Sequence, residues 1–190
     1  RRVLFRSTIS KSARINLAQN EKEAIQVIVT PTVRPAKNVQ VRVNGDLKGP
    51  DGAVFNAKSI KIAVMGYTET KRVPPYGSSH VGWWPDPILT FQNSCDIARN
   101  DAQSFWVCAY APQDQKPGIY RGKLEVVVDD VSTLSFDFNI QVYGFAMPKA
   151  SPLPLAITWW PMYYGETGGE GELLDTTWRK HKNEWADMLA

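Results

Sequence analysis

Two pairs of adjacent tryptophans stand in stretches built from turn residues. They are GSSHVGWWPDPILTF, residues 77–91, and TWWPMYYGETGGEG, residues 158–171. Together they hold four of the chain's seven tryptophans. An indole face suits sugar binding, because the axial C–H face of a pyranose stacks on it and loops display binding residues on rigid scaffolds. Pro85 and Pro87 would stiffen the first display, since proline fixes φ, and Asp86 between them would accept hydrogen bonds from sugar hydroxyls. The candidate carbohydrate-binding residues are therefore Trp83, Trp84, Asp86, Trp159, Trp160 and Tyr163. The same indoles also suit packing against a neighbouring domain, and adjacent residues, which point apart, divide between the two roles.

Other chemistry is thinly represented. His80 and His181 are the only histidines and fall in different kinds of element, so they form no metal pair. The acidic run Glu166, Glu170, Glu172 and Asp175 lacks the alternating ligand spacing of a calcium loop and reads as solvated. Cys95 and Cys108 have no metal-ligand spacing and are expected as free thiols. No nucleophile elbow, phosphate loop or zinc-protease motif occurs, and no cofactor or metal is expected.

Composition sets outer bounds. The chain has 190 residues, 43% hydrophobic and 22% charged, with a formal net charge of +3. That charge is too weak to argue for nucleic acid. No run of about 18 apolar residues occurs, so no membrane span is expected. The chain opens RRVLFRS without Met and reads as a mature or trimmed piece.

The elements that must position these residues are strands. Period-two alternation dominates residues 1–147. Ile25, Val27, Val29 and Val33 share one face, as do Val39, Val41 and Val43, then Ile60, Ile62 and Val64. Tyr120, Leu124, Val126 and Val128 form another such row, and so do Leu134, Phe136, Phe138, Ile140 and Val142. SFWVCAY, residues 104–110, is apolar on both faces, as a central strand needing a second cover would be. VDDVS reads as a hairpin turn. About seven strands with one-sided patterning predict an antiparallel β-sandwich, with a barrel as the runner-up. Residues 71–100 show no strand or helix pattern. They read as a long packed loop, too apolar for disorder, that leans towards residues 158–164.

Composition shifts at MPKASPLPL, where three prolines mark a linker at residues 148–152. LPLAITWW then suits a buried strand. In TTWRKHKNEWADMLA, Trp178, Trp185, Met188 and Leu189 form one stripe of a helix. Residues 153–190 thus read as the first βα unit of a truncated (β/α)8 barrel, which needs roughly 250 residues in full. Trp159 and Trp160 would end its first strand, on the side where such barrels carry active sites.

The segments INLAQNEKEAIQVIV, GYTET, GWWPDPIL, QSFWVCAYAP, KPGIYRGKLEV and FDFNIQVYGFAMP resemble the N-terminal β-sandwich domain of the glycoside hydrolase family 123 type, over roughly residues 14–160. The resemblance implies that a (β/α)8 barrel follows and hydrolyses terminal β-linked N-acetylgalactosamine. It implies a substrate-assisted mechanism, in which an Asp orients the acetamido group and a neighbouring Glu is the acid/base. The chain contains no adjacent Asp–Glu pair, so no catalytic residue is assigned to it. The expected partners are a glycan substrate and the chain's own C-terminal barrel, in a secreted or periplasmic enzyme. A stand-alone carbohydrate-binding module and a purely structural domain are the alternatives.

Overall fold

The structure is a computed structural model. It describes Ser10 and residues 12–71 and 81–150, the side chains of Ser132 and Thr133 excepted. The backbone parts into two units, Arg1–Lys149 and Ala150–Ala190. The expected barrel unit at 153–190 lies outside the described residues, as does the Ser151–Pro152 end of the expected linker.

Eleven strands are described: β1 Ser12–Gln19, β2 Glu21–Val29, β3 Ala36–Val43, β4 Leu47–Lys48, β5 Val54–Phe55, β6 Ile60–Glu69, β7 Trp83–Leu89, β8 Ser94–Ile97, β9 Gln103–Ala111, β10 Gly118–Val128 and β11 Val131–Ala146. They form two sheets. One runs β1-β11-β10-β3-β8, with the small β4–β5 hairpin beside β10; the other runs β2-β9-β6-β7. Side chains from both sheets fill one core, among them Leu17, Val39, Phe55, Phe105, Leu124 and Phe138. This is the mainly β, two-sheet arrangement that the alternation predicts.

One pairing departs from the expected antiparallel plan: β1 lies parallel to β11, with Ile15 opposite Ile140. The chain then changes sheets within one residue, at Asn20, whose φ of 57° lets β2 start in the other sheet. Asparagine tolerates that left-handed backbone better than most residues.

Most alternating rows are buried as expected, but their ends are not. Val33 is 83% exposed, because β2 stops at Val29 ahead of Pro31. Leu134 is 58% exposed: a bulge between Val126 and Val127 breaks the β10–β11 register beside it. The turn itself forms as expected. Asp129 and Asp130 have φ of 49° and 63° and Val128 pairs with Val131, the geometry of a two-residue hairpin loop. The apolar strand β9 lies centrally between β2 and β6. Its Phe105, Val107, Ala109 and Ala111 are fully buried in the core, while Trp106, Cys108 and Tyr110 are half-buried.

The largest correction concerns residues 71–100, expected as a loop. The structure places two strands there. β7 pairs antiparallel with β6, and β8 with β3. Two features hid β7. Prolines 85 and 87 cannot donate to a ladder, which an edge strand tolerates. The register also slips by one residue between Met65–Ile88 and Tyr67–Pro85, so that Asp86 and Pro87 lie opposite Gly66 alone and the period of two is broken. A side chain at Gly66 would meet Pro87 Cγ at 2.7 Å, so the glycine admits the bulge. Residues 72–80 lie outside the described residues.

A candidate glycan-contact groove

Trp83 opens the edge strand β7, opposite Glu69, and is 42% exposed. Beside it lies a groove of about 690 Å³, walled by β6 and β7 on one side and by residues 95–103, from β8 into β9, on the other. Tyr67, Trp83 and Leu89 supply its aromatic and apolar surface; Arg99, Asn100 and Asp101 supply polar groups.

The polar wall is held from several directions. Asn100 has φ of 60°, and its N–H donates to Pro31 O at 2.7 Å. The Asp101 N–H donates to Ala98 O, and the Asp101 carboxylate accepts the Ala102 N–H at 2.9 Å. The Tyr67 hydroxyl donates to Ala102 O at 3.1 Å. Buried Gln103 donates to Met65 O at 2.7 Å, joining the wall to β6. Asp96 accepts from Lys37 Nζ at 2.6 Å and from the Asn38 N–H at 2.9 Å. The lysine beside it holds the Asp96 carboxyl below the usual carboxylate range. These bonds fix the backbone of the wall and the carboxylates of Asp96 and Asp101, which spares part of the ordering cost of binding.

The expected site residues fare differently. Trp83 lines the groove. Trp84, half-buried and paired with Thr68, and exposed Asp86 in the bulge do not. Adjacent strand residues point to opposite faces, which parts the two indoles. Trp159, Trp160 and Tyr163 lie outside the described residues, and so does the expected meeting of the two tryptophan pairs. Tyr67, Arg99, Asn100 and Asp101 were not expected. Only the turn-like RND, residues 99–101, signalled a bend there, and nothing in it shows that the bend folds beside β6.

An aromatic face next to guanidinium, amide and carboxylate groups suits a ligand with both C–H faces and hydroxyls. Among the described residues no cluster of three or more His, Cys, Asp or Glu could hold a metal. Cys95 in β8 and Cys108 in β9 lie in different sheets and are not joined by a disulfide.

Comparison with known proteins places this architecture. No curated protein matches the chain. A family 123 glycoside hydrolase from Clostridium perfringens, solved to detail glycolipid glycan hydrolysis, aligns with a TM-score of 0.60 at 25% identity. The alignment covers 72% of this chain and 24% of that enzyme, so the chain spans about a quarter of its length. The human CEP192 ASH/PapD-like domain aligns at 14% identity with a TM-score of 0.40, over 74% of this chain and 93% of that one. The family model described as the glycoside hydrolase 123 N-terminal domain matches residues 6–128, and the chain belongs to that family.

Proposed function

We propose that this chain is the non-catalytic N-terminal part of a secreted or periplasmic glycoside hydrolase acting on glycans that end in β-linked N-acetylgalactosamine. In this reading the two-sheet domain braces a catalytic (β/α)8 barrel and presents Trp83 and the groove beside it to the glycan. The observation that carries the reading is the family match over residues 6–128. The likeness to an enzyme studied for glycolipid glycan hydrolysis supports a glycan as the substrate; the galactosaminide end rests on the family resemblance. The half-exposed indole that lines a groove together with polar residues supports the contact.

The test is enzymatic. A longer protein carrying this chain should release the chromophore from an aryl β-N-acetylgalactosaminide, and residues 1–190 alone should not. Excising residues 1–147 from the longer protein should lower the melting temperature of what remains. A longer protein inert on every aryl hexosaminide would overturn the substrate class, and unchanged melting after the excision would overturn the bracing role.

A further inference from the structure

The outer face of the sheet β1-β11-β10 carries a second feature, away from Trp83. Tyr143 and Phe145, two residues apart on β11, are 42% and 57% exposed. Their rings stack, with centroids 5.9 Å apart and planes 10° from parallel. Core rows of a strand bury alternate residues, and here they do: Val142 is 1% exposed and Ile140 is fully buried. Tyr143 and Phe145 therefore belong to the opposite, solvent-facing row. Such a row is normally polar in an antiparallel sheet with one wet face.

The next positions along that row are polar and already organised. Gln141 lies opposite Asn16 on β1 and Ile119 on β10, and Asn139 lies opposite Arg14 and Arg121. The Arg14 guanidinium donates at 2.7 Å to Gln141 Oε1 and at 2.7 Å to Asn16 Oδ1. Both amide oxygens are thus engaged by arginine, which leaves the two NH2 groups to act as donors. The result is an aromatic step continued by a row of amide and guanidinium donors. The pattern is unlike a core remnant, because its polar half is an ordered donor array, and unlike a plain solvated face, because its aromatic half is open.

We propose that this face is a glycan-binding platform, in which the Tyr143–Phe145 step stacks on a pyranose and Asn16, Gln141 and Arg14 donate to hydroxyls of the next sugar. Pyranose rings match the step because their C–H faces are apolar while their edges carry hydroxyls. Neighbouring strands stand about 4.8 Å apart, so the donors of β1 and β11 lie within reach of hydroxyls on a single sugar. The proposal rests on the glycan reading of this chain but places the contact on a different sheet from Trp83.

The test uses residues 1–190 and a panel of β-linked oligosaccharides of four to six hexose or N-acetylhexosamine units, with binding read by calorimetry. Tyr143→Ala and Phe145→Ala should each weaken binding by about tenfold, the effect of losing roughly 1.4 kcal/mol. Gln141→Ala, an edge contact, should weaken it about threefold. Far-ultraviolet circular dichroism confirms folding of each variant, and Tyr143→Phe, which keeps the ring, should retain most of the affinity. Trp83→Ala separates this proposal from the groove. Binding that fails in Trp83→Ala but survives in Tyr143→Ala and Phe145→Ala overturns the platform and favours the groove alone. No binding across the panel also overturns the platform, and leaves the hydrolase reading to its own assay. Sedimentation that shows wild-type self-association abolished by Phe145→Ala, without glycan binding, overturns it in favour of a second copy of the chain.

Discussion

Gly49 lies against the ring of Tyr120, so close that a Cβ there would stand 2.6 Å from Tyr120 Cδ1 and would press harder still on Cε1. Tyr120 is fully buried and meets Phe55 edge-to-face at 5.6 Å, so its ring has nowhere to retreat. The backbone at Gly49 is ordinary, with φ of −111°, so the constraint is space alone. Gly49→Ala is expected to overpack this corner and lower stability by about 1–3 kcal/mol. Denaturant unfolding measures it, and a variant as stable as the parent would show that the corner yields.

The Tyr120 hydroxyl is used as fully as its ring. It accepts from Gln115 Nε2 at 2.7 Å and donates to Lys116 O at 2.5 Å, tying the turn before β10 to the core. Tyr120→Phe keeps the ring and removes both bonds. Gln115 Nε2 retains Val54 O at 3.1 Å, so the expected loss is modest, about 1–2 kcal/mol. A loss above that of Gly49→Ala would show that the hydroxyl, and not the ring, holds the corner.

This corner explains what the sequence made legible. In KPGIYRGKLEV three residues have a packing reason. Gly118, with φ of 143°, passes Pro50; Tyr120 fills the corner; Gly122 gives way to Leu47, which a Cβ would meet at 2.7 Å. Such local reasons surface as pattern, and so do the buried rows of β3, β9, β10 and β11. The strand β7 stayed hidden because a bulge and two prolines erase the period that betrays a strand. The parallel pairing of β1 with β11 stayed hidden because alternation gives faces, not partners. In the groove, Trp83 was legible by type. Tyr67 and Asp101 were not, since only the fold brings residues 67 and 101 to one groove.

Lys37 and Asp96 tie β8 to β3 by an exposed ion pair of 2.6 Å. The hydrogen bond and charge of Lys37 lower the Asp96 carboxyl from 3.8, and Asp96 in turn raises the Lys37 ammonium from 10.5. A lowered carboxylate stabilises the fold above its unfolded pKa and ceases to do so as pH falls through the folded value. Asp96→Asn, which keeps an acceptor for the Asn38 N–H, should therefore be less stable than the parent at neutral pH. The gap should close below the ordinary carboxylate range and shrink in high salt. A gap that persists unchanged into strong acid would mean that the charge is not its cause.

Cys108 sits half-buried on the second face of β9, and burial pushes its thiol above 9.0, against the pull of Lys22. Since the thiolate is the reactive form, the native protein should react with thiol reagents at pH 8 more slowly at Cys108 than a free cysteine does. The denatured protein, without reductant, should titrate two thiols. A fast Cys108 would contradict the burial, and no titratable thiol would reveal a disulfide.

The two indoles of β7 should separate in function as they separate in space. Trp84 is the more buried, and truncating it removes packing from the sheet edge; a fully buried tryptophan costs about 3–5 kcal/mol when cut to alanine, and roughly half of that is expected here. Trp83, 42% exposed at the groove, has less packing to lose. Trp83→Ala should therefore melt closer to the parent than Trp84→Ala does. In a longer protein carrying this chain it should raise KM for an oligosaccharide substrate while leaving kcat on a small aryl glycoside unchanged. Melting curves and steady-state kinetics on both variants decide it. The reverse order of stability would mean that Trp83 is the structural indole, and unchanged kinetics in Trp83→Ala would remove the groove from glycan contact.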